Sequence, residues 1–134
     1  MNITYRDTTE FSPEQLQRLF LSVEWSSGNY PEKLAEAMHN FHTVFSAWHD
    51  SKLVGMLCAM DDGVMNAYIH YLLVDPDYQN MAIGRTLVDM AKQKYSDYLR
   101  IALIAYNDRM SFYENCGFRK ADGASAMFIT KLTT

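Results

Sequence analysis

The run Tyr-Ile-His-Tyr-Leu-Leu-Val-Asp-Pro-Asp-Tyr-Gln-Asn-Met-Ala-Ile-Gly-Arg, Tyr68 to Arg85, constrains this chain more than any other stretch. Tyr68 to Val74 is apolar and aromatic, with the length of a buried strand. Asp75-Pro76-Asp77 ends it, because proline has no N–H and a fixed φ. Ile83, Leu87, Met90 and Ala91 then recur at helical spacing. A strand, a tight loop and a helix point several backbone N–H groups at one place. A helix start favours Asp or Glu, which answer its dipole and its orphan N–H groups. This one has Ala82, Ile83, Gly84 and Arg85: one base, no acid. An external anion would complete it.

Two motifs carry a resemblance. Gln79-x-x-Ala82-x-Gly84 resembles the Gln/Arg-x-x-Gly-x-Gly/Ala acyl-CoA loop of the GNAT superfamily of N-acetyltransferases. Asn107 and Phe112-Tyr113-Glu114-Asn115-Cys116-Gly117-Phe118 are similar to that superfamily's second landmark, Phe-Tyr-x-x-x-Gly-Phe. The motifs fall in the family's order and cover the C-terminal half of the chain. Ala82 departs from the pattern, standing where the family has its first loop glycine.

Length and composition agree with one domain spanning 1–134. A hydrophobic content of 49% is too high for a disordered chain. No apolar run is long enough to span a membrane, and the N-terminus lacks the layout of a signal peptide. Cys58 and Cys116 lack metal-ligand spacing, so no metal is expected, and a reduced, cytoplasmic compartment is the simpler reading. A net charge of −4 argues against nucleic acid as a partner.

Along the chain, Ile3 to Tyr5 reads as a short strand. Phe11-Ser12-Pro13-Glu14-Gln15-Leu16 is a helix start, with Ser12 as cap and Gln15 reaching back. Leu16, Leu19, Phe20 and Val23 form its apolar face. Trp25 and Tyr30 bracket a polar loop, and Pro31 opens a second helix with Leu34, Met38 and Phe41 on one side. Thr43 to Trp48 and Leu53 to Met60 read as a hairpin turned at Asp50-Ser51, and Asp61-Asp62-Gly63 is a second turn. The helix after the central strand ends near Tyr95, and Arg100 to Tyr106 reads as another strand. Asn107 can cap a last helix that Gly117 closes. Phe118 to Lys120 and Ala126 to Leu132 read as a closing hairpin around Asp122-Gly123. The order β-α-α-β-β-β-α-β-α-β-β gives an α+β fold with a mixed, mostly antiparallel sheet flanked by helices. GNAT domains share this order, and the resemblance implies a sheet splayed between its fourth and fifth strands.

The resemblance also implies a reaction: transfer of an acetyl group from acetyl-CoA, as co-substrate, directly to a primary amine. Leu72 and Val74 would then offer main-chain groups to the pantetheine arm. Gln79 and the N–H groups of Met81, Ala82, Ile83, Gly84 and Arg85 would hold the pyrophosphate. Asn107 would position the pantetheine or a water, or serve only as a cap. Tyr113 would be the general acid, since a phenol with a pKa near ~10 is protonated at neutral pH. An attacking amine with a pKa near ~10 must lose a proton. Several relatives use a strand glutamate for this, and the matching position is Tyr68. His70 shares its strand parity and has a suitable pKa for a base, although a lone strand histidine is more often structural. Trp25 and Tyr30 either sandwich an aromatic amine or anchor the core. Asp61 and Asp62 either attract an ammonium or simply make their turn. The expected acceptor is a small, possibly aromatic amine. A protein lysine or N-terminal amine is the alternative, as is an acyl-CoA sensor without catalysis. The chain is expected to be a monomer or a homodimer.

Overall fold

The computed structural model describes residues 2–133. Five strands form one sheet in the order β1-β2-β3-β4-β5: Thr4–Arg6, Thr43–His49, Lys52–Asp61, Asn66–Val74 and Arg100–Leu103. The first three pairings are antiparallel, and β4 and β5 run parallel. Helices α1 (Pro13–Ser22) and α2 (Pro31–Asn40) cover one face. Helix α3 (Ile83–Lys94) covers the other as the crossover between β4 and β5, and the short α4 (Met110–Asn115) follows. The architecture is the α+β mixed sheet that the element order implies.

Local chemistry explains the boundaries. Ser12 Oγ accepts from the Gln15 N–H at 3.1 Å and Gln15 Oε1 accepts from the Ser12 N–H at 3.2 Å, a reciprocal cap with Pro13 in the first turn. Leu16, Leu19 and Phe20 bury the inner face of α1 against Leu34 and Met38 of α2 and Val44, Trp48 and Met56 of the sheet. On the opposite face, Ile83, Leu87, Val88 and Ala91 of α3 pack on Ala47, Val54, Leu57 and Ile69. Because β2 and β3 are covered on both sides, they read as continuous apolar runs. After β4, Asp75 accepts from the Asp77 N–H at 2.9 Å, and its buried carboxylate pairs with Arg18 at 3.3 Å. The strand end is thereby tied to α1.

Three features depart from the sequence reading. Strand β5 stops at Leu103, short of Tyr106. Asn107 does not cap α4: it opens a separate 3-10 turn, Asn107–Arg109, and neither turn nor helix carries a side-chain cap. The closing hairpin does not form. Residues 118–133 contain no strand, although Gly117 does end α4 with φ +98°. Alternation alone does not make a strand. Met127 is 90% exposed and Ile129 fully so, hence the segment buries too little apolar surface to order a hairpin.

Candidate active site

The sheet opens where the two parallel strands part. Pairing between β4 and β5 runs from Asn66↔Arg100 to Ile69↔Leu103, and β4 continues to Val74 without it. The resulting cleft, about 1140 Å³, runs from the start of α3 to the aromatic residues near Trp25. Tyr68, His70, Leu72, Val74, Gln79, Ala82, Ile83, Gly84, Arg85, Asn107, Tyr113 and Trp25 all border it. Met81 and Tyr30 do not. Tyr30 instead precedes Pro31 at the exposed start of α2, so the bracket around the polar loop delivers one aromatic to the cleft.

Strand β4 carries a bulge that decides which side chains meet. Cys58 pairs with Tyr71 and Ala59 with Ile69, so His70 is the additional residue. Before it, Ala67 and Ile69 face α3; after it, Leu72 and Val74 do, while Tyr71 and Leu73 join the α1–α2 face. Tyr68, His70 and Tyr71 thus gather on one side despite their numbering. The His70 ring lies 4.3 Å from Tyr71, 5.8 Å from Tyr68 and 6.1 Å from Phe41, centroid to centroid. Loss of water among these rings holds the imidazole below its ordinary pKa, so it is neutral at pH 7. Tyr71 is a functional candidate that sequence reasoning missed. Its hydroxyl is 3.0 Å from Ser27 Oγ, and its ring packs with Phe20 and Trp25. Trp25 in turn lies 6.4 Å from Tyr106.

At the other end the geometry belongs to the main chain. Asn80 and Ala82 both take positive φ, +65° and +60°. The first bond of α3 runs from the Thr86 N–H to the Ala82 carbonyl at 3.0 Å, and no side chain caps the helix. The N–H groups of Ile83, Gly84 and Arg85 therefore lack helical acceptors and lie at the positive end of the dipole. This is chemistry suited to a phosphate. Ala82 occupies a conformation that glycine would take without strain, and its Cβ costs about 1–2 kcal/mol there. Gly84 has a packing reason of its own: a Cβ on it would sit 3.3 Å from Phe112 Cζ. The Gln79 side-chain amide donates to the Val74 carbonyl at 3.2 Å, closing the loop back on the strand.

Tyr113 is half-buried on α4, with Phe112 and Phe118 edge-on at 5.1 and 6.0 Å. Burial pushes its phenol up to about 12, so it keeps its proton throughout the ordinary pH range. The two acidic turn residues lie outside this cleft. Asp62 accepts from the N–H groups of Val64, Met65 and Asn66, and Asp61 accepts from Tyr95 and Tyr98. Both carboxylates are occupied by the fold, and the ammonium role suggested for them loses its footing. His42 accepts from the Asp61 N–H, outside the cleft, and His49 bonds to Tyr78, which borders the cleft next to Gln79.

Comparison with known proteins agrees with this geometry. The chain is 31% identical over 121 residues to the uncharacterized N-acetyltransferase ycf52 of Pyropia yezoensis, across 85% of this chain and 69% of that protein. It is 34% identical over 127 residues to the histone acetyltransferase TAP1 of Glycine max, across 84% of this chain but only 54% of the relative. Among solved structures, a GNAT-family acetyltransferase of Streptococcus pneumoniae TIGR4 superposes with a TM-score of 0.83 at 22% identity, over 97% of this chain and 99% of that one. Residues 8–118 match the family model of the Acetyltransferase (GNAT) family, and the chain belongs to that family.

Proposed function

We propose that this acetyltransferase moves the acetyl group of acetyl-CoA directly to a small amine with an apolar or aromatic body. The observation that carries the reading is the split construction of the cleft: unpaired main-chain N–H groups at one end, a cluster of aromatic rings at the other. In this reading the pyrophosphate sits on the start of α3. The pantetheine arm lies along Leu72 and Val74, where β4 has no β5 neighbour. The acceptor enters between Trp25, Tyr71 and Tyr106.

The amine must attack in its neutral form. His70, neutral and bordering the cleft, takes the proton directly or through a water, with Tyr68 beside it. The amine nitrogen bonds to the thioester carbon, the tetrahedral intermediate collapses, the C–S bond breaks, and Tyr113 offers its O–H to the departing sulfur. A phenol near 12 is a weaker acid than a thiol in water at ~8.5. The transfer becomes feasible because a thiolate in the same desolvated surroundings also binds its proton more tightly, as burial does to Cys116 here.

A peptide acceptor is the second reading, favoured by the similarity to a protein named a histone acetyltransferase. The whole chain is taken as one domain acting in a reducing compartment such as the cytoplasm, where both cysteines stay as the free thiols observed. Among the described residues, no helix is long and apolar enough to cross a membrane. Acetyl-CoA with a panel of arylalkylamines, aliphatic amines and lysine peptides, read by release of free CoA thiol, tests the proposal. Arylalkylamines should show the highest kcat/KM. A dominant preference for peptides would replace the small-amine reading with the second one.

A further inference from the structure

Strand β5 opens on a cation that the fold does not use. The Arg100 N–H donates to the Met65 carbonyl at 3.1 Å, which fixes the start of the strand. The side chain is exposed and, among the described residues, makes no ion pair or hydrogen bond. Register decides where it stands. Arg100 pairs with Asn66, Ala102 with Tyr68, and Tyr68 with Met60 across β3. Residues paired across neighbouring strands share a face, as do alternate residues along one strand. Arg100 is therefore on the side of the sheet where Tyr68, His70 and Tyr71 gather.

These residues line a second hollow, of about 410 Å³: Met60, Tyr68 and Ala102 with Asn66, Arg100 and the Asp61–Asp62 turn. Tyr68 borders both this hollow and the cleft, and its ring lies 5.8 Å from His70. The hollow thus continues the acceptor end of the cleft beyond His70, on the side away from Trp25. Its charged groups are not equivalent. Asp61 accepts from Tyr95 and Tyr98, and Asp62 accepts from its own turn and from Asn66 Nδ2 at 2.9 Å. Both carboxylates already have donors, whereas a guanidinium only donates and this one has no acceptor.

We infer that Arg100 selects an acceptor that carries a carboxylate, bound in this hollow. The inference rests on the small-amine reading of the cleft and narrows it. The aromatic arm of the acceptor lies among Trp25, Tyr71 and Tyr106, its amine stands by His70, and a second arm passes Tyr68 in the opposite direction. The acceptor is then an aryl-substituted amino acid, with the amine-bearing carbon between ring and carboxylate. Spacing sets the length of the second arm. Asn66 is four residues before His70, at most about 13 Å at the rise of an extended strand. The long arginine stem reaches back over part of that distance, and a few methylene groups span the rest.

The probes are 2-phenylethylamine, 4-amino-5-phenylpentanoate and the methyl ester of the latter, each with acetyl-CoA and the full chain, read by release of CoA thiol. The free carboxylate should exceed its ester in kcat/KM by about threefold to tenfold, the range of an open, charge-assisted contact. That advantage should shrink as ionic strength rises from about 0.05 to 0.5 M. Arg100→Gln should bring the ratio to about one, Arg100→Lys should keep part of it, and Arg100→Glu should invert it. The side chain is exposed, so circular dichroism and Tm of the variants should match the parent. A parent ratio near one, with 2-phenylethylamine still acetylated, overturns this inference and leaves the small-amine reading standing. A ratio that survives Arg100→Gln also overturns it, because another group would then read the carboxylate. Failure of all three amines where a lysine peptide is acetylated overturns both.

Discussion

The two ends of the cleft are made of different material. At the start of α3 the contacts on offer are main-chain N–H groups, placed by the positive φ of Asn80 and Ala82 and by a helix that nothing caps. Near Trp25 they are side chains: Trp25, Tyr71 and Tyr106, with His70 against Tyr68 and Phe41. A main-chain site depends on the path of the backbone and tolerates changes of residue type, as Ala82 in a left-handed position illustrates. A side-chain site can be rebuilt one residue at a time without moving the strand that carries it. One end is therefore suited to a phosphate, and the other to a ligand read by side chains.

The largest test of this division falls on Tyr113, which lies on α4 and belongs to neither end. Tyr113→Phe keeps the ring and removes the proton. Turnover should drop by ~10²–10⁴-fold while acetyl-CoA affinity, measured by calorimetry, hardly changes. Because burial holds the phenol near 12, the parent should show no loss of rate from its ionisation up to pH 10. Near-normal turnover in the variant would reduce Tyr113 to packing.

His70 tests the acceptor end through pH. Its imidazole is held below the ordinary ~6.5, so the base form should dominate at neutral pH and be lost only as acid titrates the ring. In the parent, kcat at saturating amine should fall as pH drops through that depressed value. His70→Gln should lower kcat by ~10²-fold or more and flatten the acid limb. An acid limb that persists in the variant assigns proton removal to another group.

Arg85→Glu tests the main-chain end. A carboxylate in the first turn of α3 answers the helix dipole internally and repels a phosphate. Acetyl-CoA affinity should weaken about tenfold to a hundredfold, with the amine KM little changed at saturating acetyl-CoA. Unchanged affinity would move the pyrophosphate away from this helix. Gly84→Val is a poorer probe, because its side chain would press on Phe112 as well as on any ligand.

Trp25→Ala should show the opposite selectivity. KM for aromatic amines should rise a few-fold to about tenfold more than for aliphatic ones, since a ring contact is worth ~0.5–1.5 kcal/mol beyond its area. An equal loss for all amines would make Trp25 a support of Phe20 and Tyr71. The smallest effect is expected from Ala82→Gly. Relief of the left-handed strain, partly offset by the freer unfolded chain, should raise stability by about 0.5–1 kcal/mol in urea denaturation. A loss of stability would mean that the Ala82 methyl group packs to advantage.

Legibility in the sequence followed the same division. The helix starts at Ser12-Pro13 and Pro31 announce themselves by caps and by proline, and the α3 loop by a charge pattern that runs against the dipole. The acceptor end gave no comparable signal. Ala67 to Val74 is apolar on both faces, so strict alternation is masked and the His70 bulge leaves no trace in residue types. Nothing in residue type therefore marks Tyr71, and the bracket spacing that puts Tyr30 in the site carries no direction. The alternation of Ala126 to Leu132 reads as a closing hairpin because periodicity reports which residues could share a face, not whether the chain buries that face. Asn107 lost its capping role to a 3-10 turn whose tightness no residue nearby advertises.

The bulge in β4 makes the chain sensitive to counting. From Tyr71 onward, every side chain faces the side it does because His70 takes up one step without a partner in β3. Removing His70 alone would let Tyr71 follow Ile69 in plain alternation and leave the rest of the strand facing as it does, whereas straightening the bulge with every residue kept would turn that rest over. In that second case Leu72 and Val74 would face α1 and α2, and Tyr71 would press into α3. Substitutions in this stretch can be graded and local, but loss of the bulge without loss of a residue acts as a frameshift in space. A strand one residue shorter and without the bulge would present the same faces to the cleft, whereas one of equal length without the bulge would present inverted faces, however similar their letters.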